Sequence, residues 1–265
     1  MEIELWKACE DGAVEEVLNL LQNSQININW ESSFLSRTPF YIACKRGHTE
    51  VVNLLVNDQR VDINKADNNG QTPFWIVCGK GYIEIVKLLL NDNRIDINKT
   101  RNDGTTPFLI ACQEGHIEIV KLLLNDQRVD INKTRNEEVT PFLIACLSRR
   151  IEIVKLLLNN KRVDINKANI YGRTPLHGVC GNGSFEILQH ILASGRGVNL
   201  TIQNNEGMTP INIARKNEKG YWNPKIFLDI AELLESFETN PNETRIKLRI
   251  QLGYSSNFFF FLFLF

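Results

Sequence analysis

Apolar residues along this chain fall into short runs at helical spacing, two runs to a unit, with polar turns between them. The stretch from Gly70 shows the logic. Thr72 suits an N-cap and Pro73 a first helical residue, because proline lacks the N–H that a helix start leaves unpaired. Phe74, Ile76, Val77 and Cys78 then predict a short helix, which Gly81 can end in a left-handed conformation. A second helix is predicted from Ile83 to about Asn91, with Ile85, Val86, Leu88 and Leu89 facing inward and Glu84 and Lys87 paired outside. Asp96-Ile97-Asn98 leads on to Arg101-Asn102-Asp103-Gly104, a polar turn closed by glycine. Neither helix is long enough to stand alone. Each unit has an apolar face that only a neighbouring unit can cover.

The pattern repeats. Thr-Pro occurs from Thr38, Thr72, Thr106, Thr140, Thr174 and Thr209, a step of 34 or 35 residues. Cys9, Cys44, Cys78, Cys112, Cys146 and Cys180 keep the same step, and Ile-Glu-Ile-Val-Lys-Leu-Leu-Leu-Asn recurs unchanged from Ile83, Ile117 and Ile151. Such a period signals stacked supersecondary units. It also argues against disulfides. Equivalent cysteines of stacked helices lie roughly 10 Å apart, and a disulfide needs Cα atoms within about 7 Å. The six are expected to be buried, free thiols.

These residues resemble the ankyrin repeat family. Its turn ending in glycine, Thr-Pro-Leu-His, Gly-His, Val-Val-x-Leu-Leu and Asp-Val-Asn correspond here to Gly172, Thr174 to His177, Gly47-His48, Gly115-His116, Val51 to Leu55 and Asp62-Ile63-Asn64. The resemblance implies an all-α fold: an ankyrin-type helix-turn-helix solenoid with β-hairpin-like turns and about seven repeats. The repeats would run 1–35, 36–69, 70–103, 104–137, 138–171, 172–206 and 207–237, followed by a flexible tail, 238–265. The family's usual period is nearer 33, and the extra residue here lies between the second helix and the Asp-Ile-Asn turn. Lys7 in the first unit and Arg215 and Glu235 in the last stand where inner units are apolar, as the ends of a stack require. Asn64, Asn98, Asn132 and Asn166 are expected to hold the turns between units by side-chain hydrogen bonds. The resemblance associates the context of the last three with asparagine hydroxylation.

The fifth unit departs most from the others. Glu138 and Arg149 replace glycines at positions that favour positive φ. Drift in a tolerant array explains this; so does a binding surface, because Val139, Leu147, Arg149, Ile170 and Tyr171 are expected on one exposed ridge where neighbouring units are polar. Only here, on this reading, does divergence run toward apolar and aromatic groups, a composition suited to an interface. The last unit carries about eight extra residues between its helices, including Tyr221 and Trp222, which can form a binding loop or cover the open end of the stack. His190 stands where other units have leucine and reads as a satisfied core or groove residue. After Glu238 a linker is expected. Arg245, Lys247 and Arg249 then alternate with apolar residues, and the chain ends in Phe258 to Phe265. That segment can insert shallowly in an anionic membrane surface, aggregate, or be without function.

Composition narrows the function classes. The 265 residues carry a net charge of −1, with 43% hydrophobic and 23% charged residues. There is no global basic field for nucleic acid, no apolar run of about 20 residues for a membrane span and no basic, apolar signal sequence, so an intracellular, cytoplasmic location is expected. Phosphate loops, dinucleotide fingerprints, His-Glu-x-x-His and Cys-x-x-Cys are absent from the sequence. His48 and His116 share one repeat position two units apart, too far to share a metal. No catalytic residue, metal or cofactor is expected. The chain reads as a monomeric, non-enzymatic scaffold that binds a protein partner on the concave face of its repeats. The alternative is a membrane-peripheral adaptor anchored by its tail.

Overall fold

The computed structural model describes residues 1–220 and 223–254. They fold into two compact units, Met1–Asn136 and Glu137 onward. The first unit is four helix pairs: α1 (Glu2–Asp11) and α2 (Val14–Leu21), α3 (Pro39–Arg46) and α4 (Thr49–Asn57), α5 (Pro73–Lys80) and α6 (Ile83–Leu90), α7 (Pro107–Glu114) and α8 (Ile117–Asn125). The second has three: α9 (Pro141–Leu147) and α10 (Ile151–Asn159), α11 (Pro175–Asn182) and α12 (Phe185–Ala193), α13 (Pro210–Glu218) and α14 (Pro224–Thr239). A further helix, α15 (Pro241–Gln251), follows. Within each unit first helices stack on first helices and second helices on second helices. No strand occurs among the described residues.

Each first helix starts as its sequence directs. The hydroxyl oxygens of Thr38, Thr72, Thr106, Thr140, Thr174 and Thr209 accept the backbone N–H three residues on, and proline follows each. The glycine after the helix is doubly required. Gly81 has φ 80°, and a Cβ there would lie 2.6 Å from the His116 ring of the next repeat. His116 in turn contacts the Gly79 carbonyl at 2.9 Å, and His48 contacts the Glu10 carbonyl at 2.8 Å. The Gly-His pair is therefore a packing device.

Between pairs, asparagines tie one repeat to the next. The Asn64 amide donates to the Arg94 carbonyl at 2.7 Å and its oxygen accepts the Asp96 N–H at 2.8 Å. Asn98 and Asn166 repeat the arrangement, and so does Asn29 in the first repeat. The extra residue of the 34-residue period has its own work. It makes room for Asp-x-Arg, in which Arg94 chelates Asp92 and reaches back to the Val56 carbonyl at 2.6 Å. Arg60 likewise meets the Leu21 carbonyl and Arg128 the Leu90 carbonyl. A cation thus satisfies carbonyls that a helix C-terminus leaves open.

The core is the row of inward residues. Phe40, Phe74 and Phe108 are fully buried in the first unit, as is Phe142 in the second, and Val, Ile and Leu of the second helices join them. All six cysteines are buried and unbridged. Leu88, expected inward, is half-buried, and the Lys87–Glu84 pair forms at 2.7 Å. Arg215 in the last pair bonds Glu218 and Glu235 at 3.0 and 2.6 Å, so the polar end is internally neutralised.

Two expectations change. The extra residues of the last repeat go largely into helix: α14 is 16 residues long against the 8 or 9 of the other second helices. The linker expected after Glu238 is a single break at Asn240, whose side chain caps α15 through the Glu243 N–H. Leu248 and Thr244 of α15 are buried where it packs on α12 and α14. That packing was invisible to repeat matching, because α15 lies beyond the last repeat.

Candidate protein-binding surface

The turns before the first helices present pairs of side chains in a fixed register. Backbone N–H groups step from turn to turn: Asn68 to the Leu35 carbonyl and Asn102 to that of Asn69 in the first unit, Ile170 to that of Glu137 and Asn205 to that of Tyr171 in the second. Asn68-Asn69, Asn102-Asp103 and Asn205-Glu206 are therefore equivalent to Ile170-Tyr171. The first three pairs are polar; Ile170 and Tyr171 are 50% and 48% exposed. The Tyr171 hydroxyl donates to Glu137 at 3.3 Å, leaving the ring face open.

The other candidates in this unit fall into place along α11. Leu147, 42% exposed, leans on Gly178 at mid-helix, where the equivalent residues Ile42, Ile76, Ile110 and Ile144 would leave no room; a Cβ on Gly178 would lie 2.9 Å from the Leu147 Cδ2. Arg149 reaches the α11 C-terminus, donating to the Asn182 carbonyl, while Asn182 donates back to the Leu147 carbonyl at 3.4 Å. Ile170 and Tyr171 sit on the turn into the α11 N-terminus. The four residues thus line an eight-residue helix, about 12 Å long. Glu138 and Arg149 hold φ of 56° and 55°, as their glycine-like positions require, and Glu137 joins them at 65°.

Val139 is not part of this ridge. It is 4% exposed, with its side chain turned into the protein. It immediately precedes the N-cap Thr140, after a tight turn over Asn136–Glu138 in which Glu137 and Glu138 hold positive φ, so the turn residues are exposed while it is not. Thr105 at the equivalent position is buried too. Tyr221 and Trp222, as well as Phe258 to Phe265, lie outside the described residues.

A second correction concerns the first unit. Divergence toward apolar tips is not confined to Ile170-Tyr171. By the same register Phe34-Leu35 is the tip pair of the first turn, and Phe34 is 85% exposed. Counting back 34 residues from Asn68-Asn69 would have found it.

Behind four of the tips a polar-ended ring pins the turn, whereas Leu109 and Leu143 stand at the ring position of two further repeats. Trp6 Nε1 donates to the Arg37 carbonyl at 3.0 Å and Trp75 Nε1 to the Thr105 carbonyl at 3.1 Å. His177 Nε2 contacts the Met208 carbonyl at 3.1 Å. Tyr41 instead meets Asp67 and Gln71 at 3.2 and 3.0 Å. Burial lowers the His177 pKa, so its imidazole is neutral near pH 7. Those four turns are thereby held in place before any partner arrives; the Ile170-Tyr171 turn has Leu143 at the ring position and is tied by its own Asn169 and by Tyr171 to Glu137.

His190 is satisfied, as its position suggested. It is buried, and its Nδ1 lies 2.8 Å from the Tyr254 hydroxyl. The tail's basic residues are also engaged internally. Arg245 stacks over Phe237, Lys247 pairs with Glu243 at 2.6 Å, and Arg249 donates to the Ala193 carbonyl at 3.1 Å. Among the described residues no cluster of three His, Cys, Asp or Glu side chains can hold a metal ion. None of their helices is long and apolar enough to cross a membrane.

The family is now plain. Models of ankyrin repeats match residues 5–101 and 93–169 (three copies) and 157–214 (many copies). The chain belongs to the ankyrin repeat family. Its fold is similar to the crystal structure of the ankyrin repeat domain of Bcl-3, a member of the IkappaB protein family (TM-score 0.71, 23% identity, covering 79% of this chain and 92% of that one). It is similar also to the human ASB11 ankyrin repeat domain (TM-score 0.68, 22% identity, 84% and 96%). No curated protein sequence matches the chain. Ankyrin repeat domains are in general protein–protein interaction modules, and the chain is one of this class.

Proposed function

We propose that the chain is a non-enzymatic, intracellular scaffold or adaptor, and that a segment of its protein partner lies along α11 on Leu147, Arg149, Ile170 and Tyr171. One observation carries this reading: an aliphatic and an aromatic side chain stand half-exposed at a turn whose equivalents, the first turn apart, are Asn, Asp and Glu. Exposed apolar surface there serves no folding purpose, since the helices behind it are already covered. Rigid aromatic and arginine side chains are also the types that dominate binding energy. Buried, unbridged thiols agree with an intracellular setting.

The test is capture of partners on the immobilised full chain, identified by mass spectrometry and repeated with Tyr171→Ala and with Asn68→Ala/Asn69→Ala. A partner lost from the first variant and kept by the second supports the assignment. A partner that both variants lose equally, or that neither loses, refutes it.

A further inference from the structure

The first unit carries a second patch of a different chemistry. Residues 1–136 hold 15 Lys and Arg against 19 Asp and Glu, so the unit as a whole is acidic. The pair α3 and α5 departs from this, with three basic residues and no acid in the two helices. Lys45 and Arg46 occupy the last turn of α3 and Lys80 the last turn of the adjacent α5. Arg37 stands at the other end of α3, stacked over the Tyr41 ring at 5.4 Å. Two acids meet these four cations. Buried Asp67 faces Arg37 at 3.5 Å, and Glu10 pairs with Arg46. Lys45 and Lys80 make no ion pair among the described residues. Lys45 is half-buried, and its ammonium is disfavoured first by burial and then by Arg37, Arg46 and Lys80, with Asp67 opposing. An ammonium in that setting gains from an incoming carboxylate.

Phe34 stands three residues before Arg37 on the same turn. Its turn is closed by the Ser32 N–H on the Arg37 carbonyl at 3.1 Å, and Trp6 donates to the same carbonyl. A ring held on a tied turn loses little freedom on binding. An apolar anchor on the turn that also carries Arg37, at one end of this row of cations, calls for a ligand with both features.

We propose that Phe34, Arg37, Lys45 and Lys80 form a docking site for an acidic protein segment that carries an apolar anchor. The proposal rests on the protein-binding reading above but names a different surface and the chemistry of its occupant. Nucleic acid fits less well. Its affinity grows with the number of phosphates neutralised, and only two of these four cations lack an acid partner, in a unit that is acidic overall.

The test uses the full chain and a fluorescent eight-residue peptide of glutamate and aspartate around a central leucine-phenylalanine pair, read by anisotropy. Binding is expected to weaken at least tenfold in Phe34→Ser and in Lys45→Gln, to weaken with added salt, and to be unchanged in Lys87→Gln on the outer face of α6. Phe34 is too exposed for its loss to unfold the protein, so that variant stays informative if Lys45→Gln fails to fold. Wild-type-like binding by Phe34→Ser overturns the proposal, as does equal weakening by Lys87→Gln. Tighter binding of a single-stranded oligonucleotide overturns it in favour of nucleic acid. Self-association lost in Phe34→Ser, in sedimentation without peptide, overturns it in favour of a second copy of the chain. Failure of the peptide to bind overturns this proposal alone and leaves the α11 reading to its own test. Binding lost in Tyr171→Ala and kept in Phe34→Ser moves the acidic segment to α11 and overturns the site proposed here.

Discussion

The imidazole of His190 and the hydroxyl of Tyr254, 64 residues apart in sequence, meet at 2.8 Å with their rings edge to face. His190 belongs to α12 and Tyr254 follows α15, so the contact fastens the last helix to the repeats. Glu186 lies 3.9 Å from the other ring nitrogen, and Lys155, Glu152 and Arg249 surround the pair. Burial, and then Lys155, lowers the His190 pKa. The unfolded chain therefore takes up this proton more readily than the folded one, and stability is lost as pH falls below about 6.5, the ordinary histidine value.

The expected outcome is a urea midpoint lower at pH 5.5 than at pH 7.5. His190→Leu, which restores the residue found at this position in other repeats, should shrink the difference. His177, also lowered by burial, should keep part of it. An undiminished difference in the variant would exclude His190 as a cause.

Glu138 and Arg149 hold left-handed backbone where sister repeats have glycine. Replacing either with glycine should raise stability by about 1 kcal/mol. If Arg149 binds partner, Arg149→Gly should raise the melting temperature and weaken partner affinity together. Thermal melts of both variants, with affinity measured on the same preparations, check this. No gain in melting temperature from either glycine would show that the strain is relieved elsewhere.

Asn64 makes two bonds to the next repeat, one from its amide and one to its oxygen. Asn64→Ala should cost about 1–2 kcal/mol, since two backbone groups lose their partner but remain near water. Asn57→Ala is the control, because Asn57 bonds only within its own helix, to Asn53. Equal denaturant midpoints for the two variants would rule out the inter-repeat role.

Burial pushes the Cys9 thiol up to about 12 and raises the other five as well. The thiolate is the reactive form. Iodoacetamide at pH 8 should therefore leave the native protein unmodified over minutes and add six groups once urea unfolds it. Fast labelling of the native state, or fewer than six sites when unfolded, would contradict the packing or the absence of bridges.

Much of this protein was legible in its sequence because its signals are local and repeated. Thr-Pro starts a helix and glycine ends it through the conformations of a few adjacent residues, and every repeat restates the rule. Even the strained residues, Glu138 and Arg149, could be found by comparing one repeat with the next. Side-chain direction on the turns was another matter. Val139 and Ile170 look alike in sequence, yet one is buried and the other exposed, because Ile170 stands at a turn tip and Val139 three repeat positions later, against the N-cap Thr140. Phe34 is harder to see because the first turn lacks the Asn-rich flank that marks the others, although the 34-residue step from Asn68 reaches it and the Asn68 N–H on the Leu35 carbonyl shows the register. The docking of α15 had no repeat to predict it. Contacts such as His190 with Tyr254 and Arg249 with Ala193 join positions that no period relates, and only the packing of helices brings them together.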